Sequence, residues 1–305
     1  LPEVKLSLKV VSPLFLKGPD PRGEPEWRAP SVRGQLRYWL RAIEGGRGAS
    51  LAKVWERESE VFGGTGSGSV VMVRCSPPQG FAVASARALP HSSQKTFKED
   101  AVAIGERLVL SLSTRPGVPM PAAAMQALST WLLLGGVGKR SRRMMGALQV
   151  VKASESAAGF FWEHQADAES LIVAAQAHFK RLYPQPPAPV RTPEYPTLHP
   201  DHSWVLIGRV GSIDAEDANI ALFRILRSAD FLDDPVFGYV QGSKRRAGPL
   251  IAQVREIGEQ FVPVLTALRS EHAEAKPLHW NRMNDFMAKA GQEFSAETVH
   301  GGPLQ

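Results

Sequence analysis

One order of elements runs twice along this chain. In the first pass Val4, Leu6, Leu8 and Val10 alternate with Lys5, Ser7 and Lys9, which predicts a half-buried strand within residues 4–16. The Pro- and Gly-dense stretch 18–30 reads as a loop. Ser31, read as an N-cap, opens a predicted helix to Ile43, with Val32, Leu36, Trp39, Leu40 and Ile43 at helical spacing. A second helical stretch (51–61), a glycine-rich loop (62–69) and a strand (70–75) follow. Residues 76–105 lack a clean period and read as an insertion. A strand (107–114), a helix (121–134), a second glycine-rich loop (135–143) and a strand (146–152) close the pass. Strand, helix, strand, strand, helix, strand is the split βαβ order of the ferredoxin-like fold.

The second pass is set apart by a helical stretch (166–182) and by seven prolines within residues 183–200, a composition suited to a linker. A strand (204–210), a helix (215–231), a glycine and basic loop (237–246), strands at 250–254 and 261–268, and a helix (280–290) then repeat the order. Phe62-Gly63 and Phe237-Gly238 hold the same place in the two passes, each followed by a Gly/Ser loop and a strand. The expected architecture is α+β, with two tandem ferredoxin-like (RRM-like) domains. They cover 1–153, with the insertion, and 201–305, joined by the helical and Pro-rich segment 154–200. A faint last strand near Thr298 leaves room for a degenerate second domain.

Charge and cysteine usage narrow the partners. The formal charge of +6 and pI near 9.5 favour a polyanionic partner. Cys75 is the single cysteine, so no intrachain disulfide or cysteine-based zinc cluster forms; a reducing cytoplasm is the expected setting. Cys75 lies in a predicted strand, where a buried structural thiol is expected. The amino-terminal segment alternates and does not follow a leader pattern, and the apolar run 131–134 is far too short to cross a bilayer, so no membrane association is expected.

The glycine loops do not fit nucleotide-cofactor motifs. Gly138-Lys139 is followed by Arg140 where a P-loop needs Ser or Thr, and no glycine stands five residues before Gly138. The loops follow helices and precede strands, the reverse of a dinucleotide fingerprint. No cofactor is expected. Glycine still lets backbone N–H groups approach a phosphate closely. In the second loop Gly138 is joined by four cations, Lys139, Arg140, Arg142 and Arg143. On the first helix Arg33, Arg37 and Arg41 recur at i, i+4 and i+8 and share a face, with Arg28 just before it. Guanidinium forks match phosphate oxygens. Lys244, Arg245 and Arg246 form a third cluster. Against this stands a bland reading, in which solvated basic turns are balanced by Glu24, Glu26 and Glu44, with Tyr38 and Trp39 in the core. Metal spacing is absent: His91, His164, His178, His199, His202, His272, His279 and His300 are scattered. Asp233-Asp234 reads as a helix-ending turn. Asp20, in the loop after the first strand and near Arg22 and Arg28, is the one acid to watch.

Three segments resemble a known family. These are 12–21 (SPLFLKGPDP), 28–42 (RAPSVRGQLRYWLRA) and 60–63 (EVFG). They are similar to the RAMP superfamily of CRISPR proteins, in the branch that supplies the first subunit of type III-B (Cmr) effector complexes. Residues 135–143 look like its glycine-rich loop. Residues 245–250 look like its later Arg-Arg-Ala-Ser-Pro-Leu stretch, with Gly248 where serine is usual. The resemblance implies tandem ferredoxin-like domains and no enzymatic activity. It further implies a place in an antiviral ribonucleoprotein beside other RAMP subunits, in contact with guide RNA or captured target RNA near the guide 3′ end. It makes the insertion similar to a thumb laid across the guide–target duplex. The RNA contacts expected are Arg28, Arg33, Arg37, Arg41, Gly138, Lys139, Arg140, Arg142, Arg143, Lys244, Arg245 and Arg246. Two alternatives stay open. One is a metal-assisted endoribonuclease using Asp20, where related backbone subunits place their cleaving aspartate. The other is a protein-interaction module without RNA contact.

Overall fold

The computed structural model describes residues 3–20, 23–76, 80–88, 98–154, 165–188, 191–228, 230–241, 244–271 and 278–305. The first pass folds as β1 (Glu3–Val10), α1 (Ala29–Gly46), α2 (Leu51–Phe62), β2 (Met72–Ser76), β3 (Val83–Arg87), β4 (Lys98–Val102), β5 (Arg107–Ser113), α3 (Ala122–Leu134) and β6 (Leu148–Ala153). After α4 (Ala168–Leu182) the second pass gives β7 (Ser203–Ile207), α5 (Ala215–Arg227), β8 (Gly238–Gln241), β9 (Lys244–Ala247), β10 (Leu250–Ile257), β11 (Gln260–Leu268), α6 (Trp280–Glu293) and β12 (Glu297–Gly301).

The two main sheets run β2-β5-β1-β6 and β10-β11-β7-β12, antiparallel throughout. Numbered within each repeat, both read 2-3-1-4, the ferredoxin-like order. The second repeat has all four strands and both helices, so it is complete rather than degenerate. Its last strand was faint in sequence because β12 is short and its register shifts between Thr298 and His300. The region without a clean period holds the β3–β4 hairpin, tied to the loop after β1 by a bridge between Leu14 and Val102. The predicted basic loop at 244–246 is instead strand β9, paired with β8.

Local chemistry explains most element ends. α1 starts two residues before the predicted Ser31 cap: Arg28 takes the extended N-cap conformation and Pro30 sits in the first turn, where its missing N–H costs nothing. Ser50 caps α2 by accepting from the Lys53 N–H. Gly63 and Gly238, the repeated Phe-Gly pair, share one backbone conformation, with φ of 79° and 98° and ψ of 157° and 156°. A Cβ at either would lie 2.8 Å or less from backbone atoms, so glycine is required at both.

Packing joins the repeats. Leu6 and Leu8 of β1 pair with Leu110 and Leu108 of β5 and face α1 and α3, in a core that also takes Val205, Ile207, Ile251, Val264 and Leu268 from the second sheet. The other face of that sheet, including Leu206, Val254 and Leu265, packs with Leu222 and Phe286 of α5 and α6. The second sheet is therefore buried on both faces. α3, apolar nearly all round, lies between the sheets.

Candidate nucleic-acid interface

The helical phase of α1 decides which side chains reach solvent. Val32, Leu36, Trp39, Leu40 and Ile43 turn inward, and the opposite face carries Arg33, Arg37 and Arg41. These three line a cleft of about 590 Å³ with Trp55, Glu58 and Ser59 of α2 and the turn 63–69. Arg37 is the most constrained. Its Nη2 donates to the Phe62 carbonyl at 2.9 Å and to that of Gly63, satisfying the end of α2. Glu58, 7 % exposed, sits 3.4 Å from Arg37 and 3.0 Å from Arg41. One carboxylate against three guanidinium groups leaves the cleft net positive. Arg33 has no acidic partner among the described residues.

Arg41 also lines a second, smaller cleft of about 210 Å³, with Gly34, Tyr38, Gly136, Ser141 and Arg142. Arg142 lies over the Tyr38 ring, 5.5 Å from its centroid. Burial pushes the Tyr38 hydroxyl up, with Arg142 and then Arg41 acting against it. Gly34 is exposed, and a Cβ there would meet nothing within 4 Å. Four of the expected cations, Arg33, Arg37, Arg41 and Arg142, thus border one continuous face centred on α1.

The rest of the basic loop does other work. Gly138 has φ of 89°, and a Cβ there would lie 2.5 Å from the Phe15 carbonyl oxygen. Arg143 donates to the carbonyls of Leu250 at 3.1 Å and Phe237 at 3.2 Å, and burial pulls its guanidinium down to about 10. Arg142 reaches the Gly248 carbonyl at 2.7 Å, and Met144 N–H donates to Ala252 at 2.9 Å. Asn219 of α5 donates to the Arg143 carbonyl at 2.7 Å. The loop is a wedge between the repeats. Lys139 pairs with Glu99 of β4, and the same carboxylate acts on Arg140, whose guanidinium is pulled down chiefly by burial.

Arg28 is spent locally, donating to the Lys17 carbonyl at 3.1 Å. Arg246 is 9 % exposed beside Trp280, 6.0 Å from its ring, and lines neither α1 cleft. The Lys244 and Arg245 side chains lie outside the described residues, as does Arg22. Asp20 is exposed, and its carbonyl accepts from the Gly23 N–H at 3.1 Å. No three His, Cys, Asp or Glu side chains gather as a metal site among the described residues. Cys75 is half-buried, with its thiol pushed up to about 12 by burial, which keeps it protonated and unreactive. No described helix is long and apolar enough to cross a membrane. Sequence reasoning missed Trp55, whose signal was its phase: it falls outside the Val54, Glu58, Val61, Phe62 stripe that α2 buries.

The family model of the RAMP superfamily matches residues 7–149 of this chain. The chain is similar to CRISPR system Cmr subunit Cmr1-1 of Pyrococcus furiosus, 33 % identical over 153 residues, covering 44 % of this chain and 43 % of the relative. It is also similar to Cmr1-2 of the same organism, 40 % identical over 73 residues, covering 24 % and 38 %. The matched stretches span less than half of either relative's length. The fold extends further. The crystal structure of apo Cmr1 from Pyrococcus furiosus superposes with a TM-score of 0.70 at 20 % identity, covering 98 % of this chain and 99 % of that one. A chain of the type III-B Cmr-beta complex bound to cognate target RNA gives 0.65 at 10 % identity, covering 95 % and 99 %.

Proposed function

We propose that this chain is a non-catalytic RNA-binding subunit of a type III-B CRISPR effector complex, gripping guide RNA or captured target RNA along α1, beside other RAMP subunits. The observation that carries the reading is that Arg33, Arg37, Arg41 and Arg142, from two distant segments, border one open face. The similarity to Cmr1 subunits supports it. The grip is independent of sequence: guanidinium groups neutralise phosphates and release counterions, while base pairing with the guide supplies specificity.

The test uses Arg33→Glu, because Arg33 makes no ion pair among the described residues. Binding of the purified chain to an RNA oligonucleotide is expected to weaken about tenfold, and the slope of log K against log salt to fall by about one. Unchanged affinity across the salt series removes α1 from the interface. Charge reversal at Arg143 is a poor probe, since it would break the wedge between the repeats.

The endoribonuclease reading rests on Asp20 alone. In the assembled complex, Asp20→Ala is expected to leave the pattern of target cuts unchanged. Loss of one cut site would transfer the catalytic role to this chain.

A further inference from the structure

Trp55 is unexplained by the fold. It is 66 % exposed on α2, makes no ring contact with another aromatic among the described residues, and lines the arginine cleft. Amphipathic packing already buries Val54, Val61 and Phe62 from this helix, so the indole adds nothing to the core. Across the cleft the turn 63–69 closes on itself, with Gly64 and Ser67 exchanging backbone bonds at 3.0 and 3.2 Å. The N–H groups of Thr65, Gly66 and Gly68 take no part in those bonds. Gly66 has φ of 97°, and a Cβ there would meet nothing within 4 Å, so its backbone is open to a close approach. One cleft therefore offers a flat aromatic face, unpaired backbone donors and a net positive wall.

Resting on the RNA-binding reading, we propose that this cleft takes an unpaired nucleotide: its phosphate against Arg33 and the 65–68 backbone, its base on Trp55. The two requirements together select single-stranded RNA. A base inside a duplex has both faces covered by its neighbours, whereas an unstacked base offers a face to an indole. Backbone donors and guanidinium groups alone would accept either form. Trp55 thus sets the preference for unpaired RNA, and the arginines set the strength of the grip.

The test compares a fluorescein-labelled single-stranded oligonucleotide with a blunt RNA duplex of the same length. Trp55→Ala, Trp55→Phe and Arg33→Glu are made in the full chain, with thermal melting as a check of folding. Trp55→Ala is expected to weaken single-strand binding about tenfold, the loss of one stacked base, and to erase most of the preference over duplex, while Trp55→Phe keeps it. If Arg33→Glu weakens both RNAs but Trp55→Ala leaves the preference intact, the unpaired-nucleotide site falls and the phosphate grip stands. That outcome would assign Trp55, with exposed Leu51 one turn away, to a protein contact. If neither variant changes binding, both readings fall.

Discussion

Replacing Arg255 with Met is expected to cost about 3 kcal/mol of folding stability and to split a single urea transition into two. Arg255 stands on β10 of the second repeat and is 3 % exposed. Its Nη2 donates to the carbonyl of Leu133 at 2.5 Å and of Gly135 at 3.3 Å, and Nη1 to Val254 at 2.7 Å. Leu133 lies in the last turn of α3, whose carbonyls have no partner within the helix and carry the negative end of its dipole. A cation from one repeat therefore closes a helix of the other. Burial pulls the guanidinium down to about 9, which leaves it charged at neutral pH. Methionine fills similar volume without donors, so the loss reports the uncapped carbonyls less the desolvation that Arg255 no longer suffers. Lysine would restore at most part of the geometry, because one ammonium does not span the carbonyls that the fork reaches. An Arg255→Met chain that unfolds in one transition at the wild-type midpoint would show that the Arg255 fork is not needed to join the repeats.

The same seam explains what the residues revealed in advance. The first sheet was legible because β1 alternates: one face is core and the other exposed or half-exposed, so Leu6 and Leu8 stand out between Ser7 and Lys9. The second sheet hides that signal. Ser203–Ile207 is buried at every position, since the first repeat covers the face that α5 and α6 leave open. The β3–β4 hairpin has few apolar positions to set a period, because most of β3 is exposed. The repeated order of elements still carried the fold.

The site was half legible. Helical spacing put Arg33, Arg37 and Arg41 on one face, and that holds. Composition made residues 138–143 look like a free anion cradle, yet Gly248, Leu250 and Ala252, its acceptors and donors, lie more than a hundred residues further on. No local pattern contains such partners. The same distance hid the gain at Arg142, which the wedge carries to Tyr38 and so to the α1 face. Glu58 was invisible for a different reason: a carboxylate on the buried stripe of α2 looks like a defect until two arginines meet it.

Acid is expected to loosen the seam before it unfolds either sheet. His178 of α4 shares a hydrogen bond of 2.9 Å between Nε2 and Thr130 Oγ1 of α3. His300 of β12 donates from Nε2 to the Leu198 carbonyl at 2.8 Å and stacks 4.2 Å from Phe179 and 5.2 Å from Tyr183. Burial pulls His178 down to about 3, helped by Arg181 and then His300. Burial pulls His300 down to about 4, helped by His199 and opposed by the Leu198 carbonyl. Both rings are neutral in the fold, whereas in the unfolded chain they titrate near 6.5. Protons therefore bind the unfolded state first as pH falls. Stability is full above about 6.5 and is lost progressively toward the folded values near 4 and 3. Between pH 7.5 and 5 each ring contributes a loss of about 2 kcal/mol, roughly 4 together. Carboxylates are still ionised over most of this window, so histidines dominate it. Urea titrations at the two pH values check the sum. His178→Gln, which keeps a partner for Thr130, and His300→Phe, which keeps the stack, should each remove about half of the pH dependence. Variants that retain the full slope would move the acid sensitivity elsewhere. Both histidines tie α4 to its neighbours, Thr130 on one side and the β12 edge on the other. Amide exchange at pH 5 is therefore expected to open α4 while β1 and β5 stay protected.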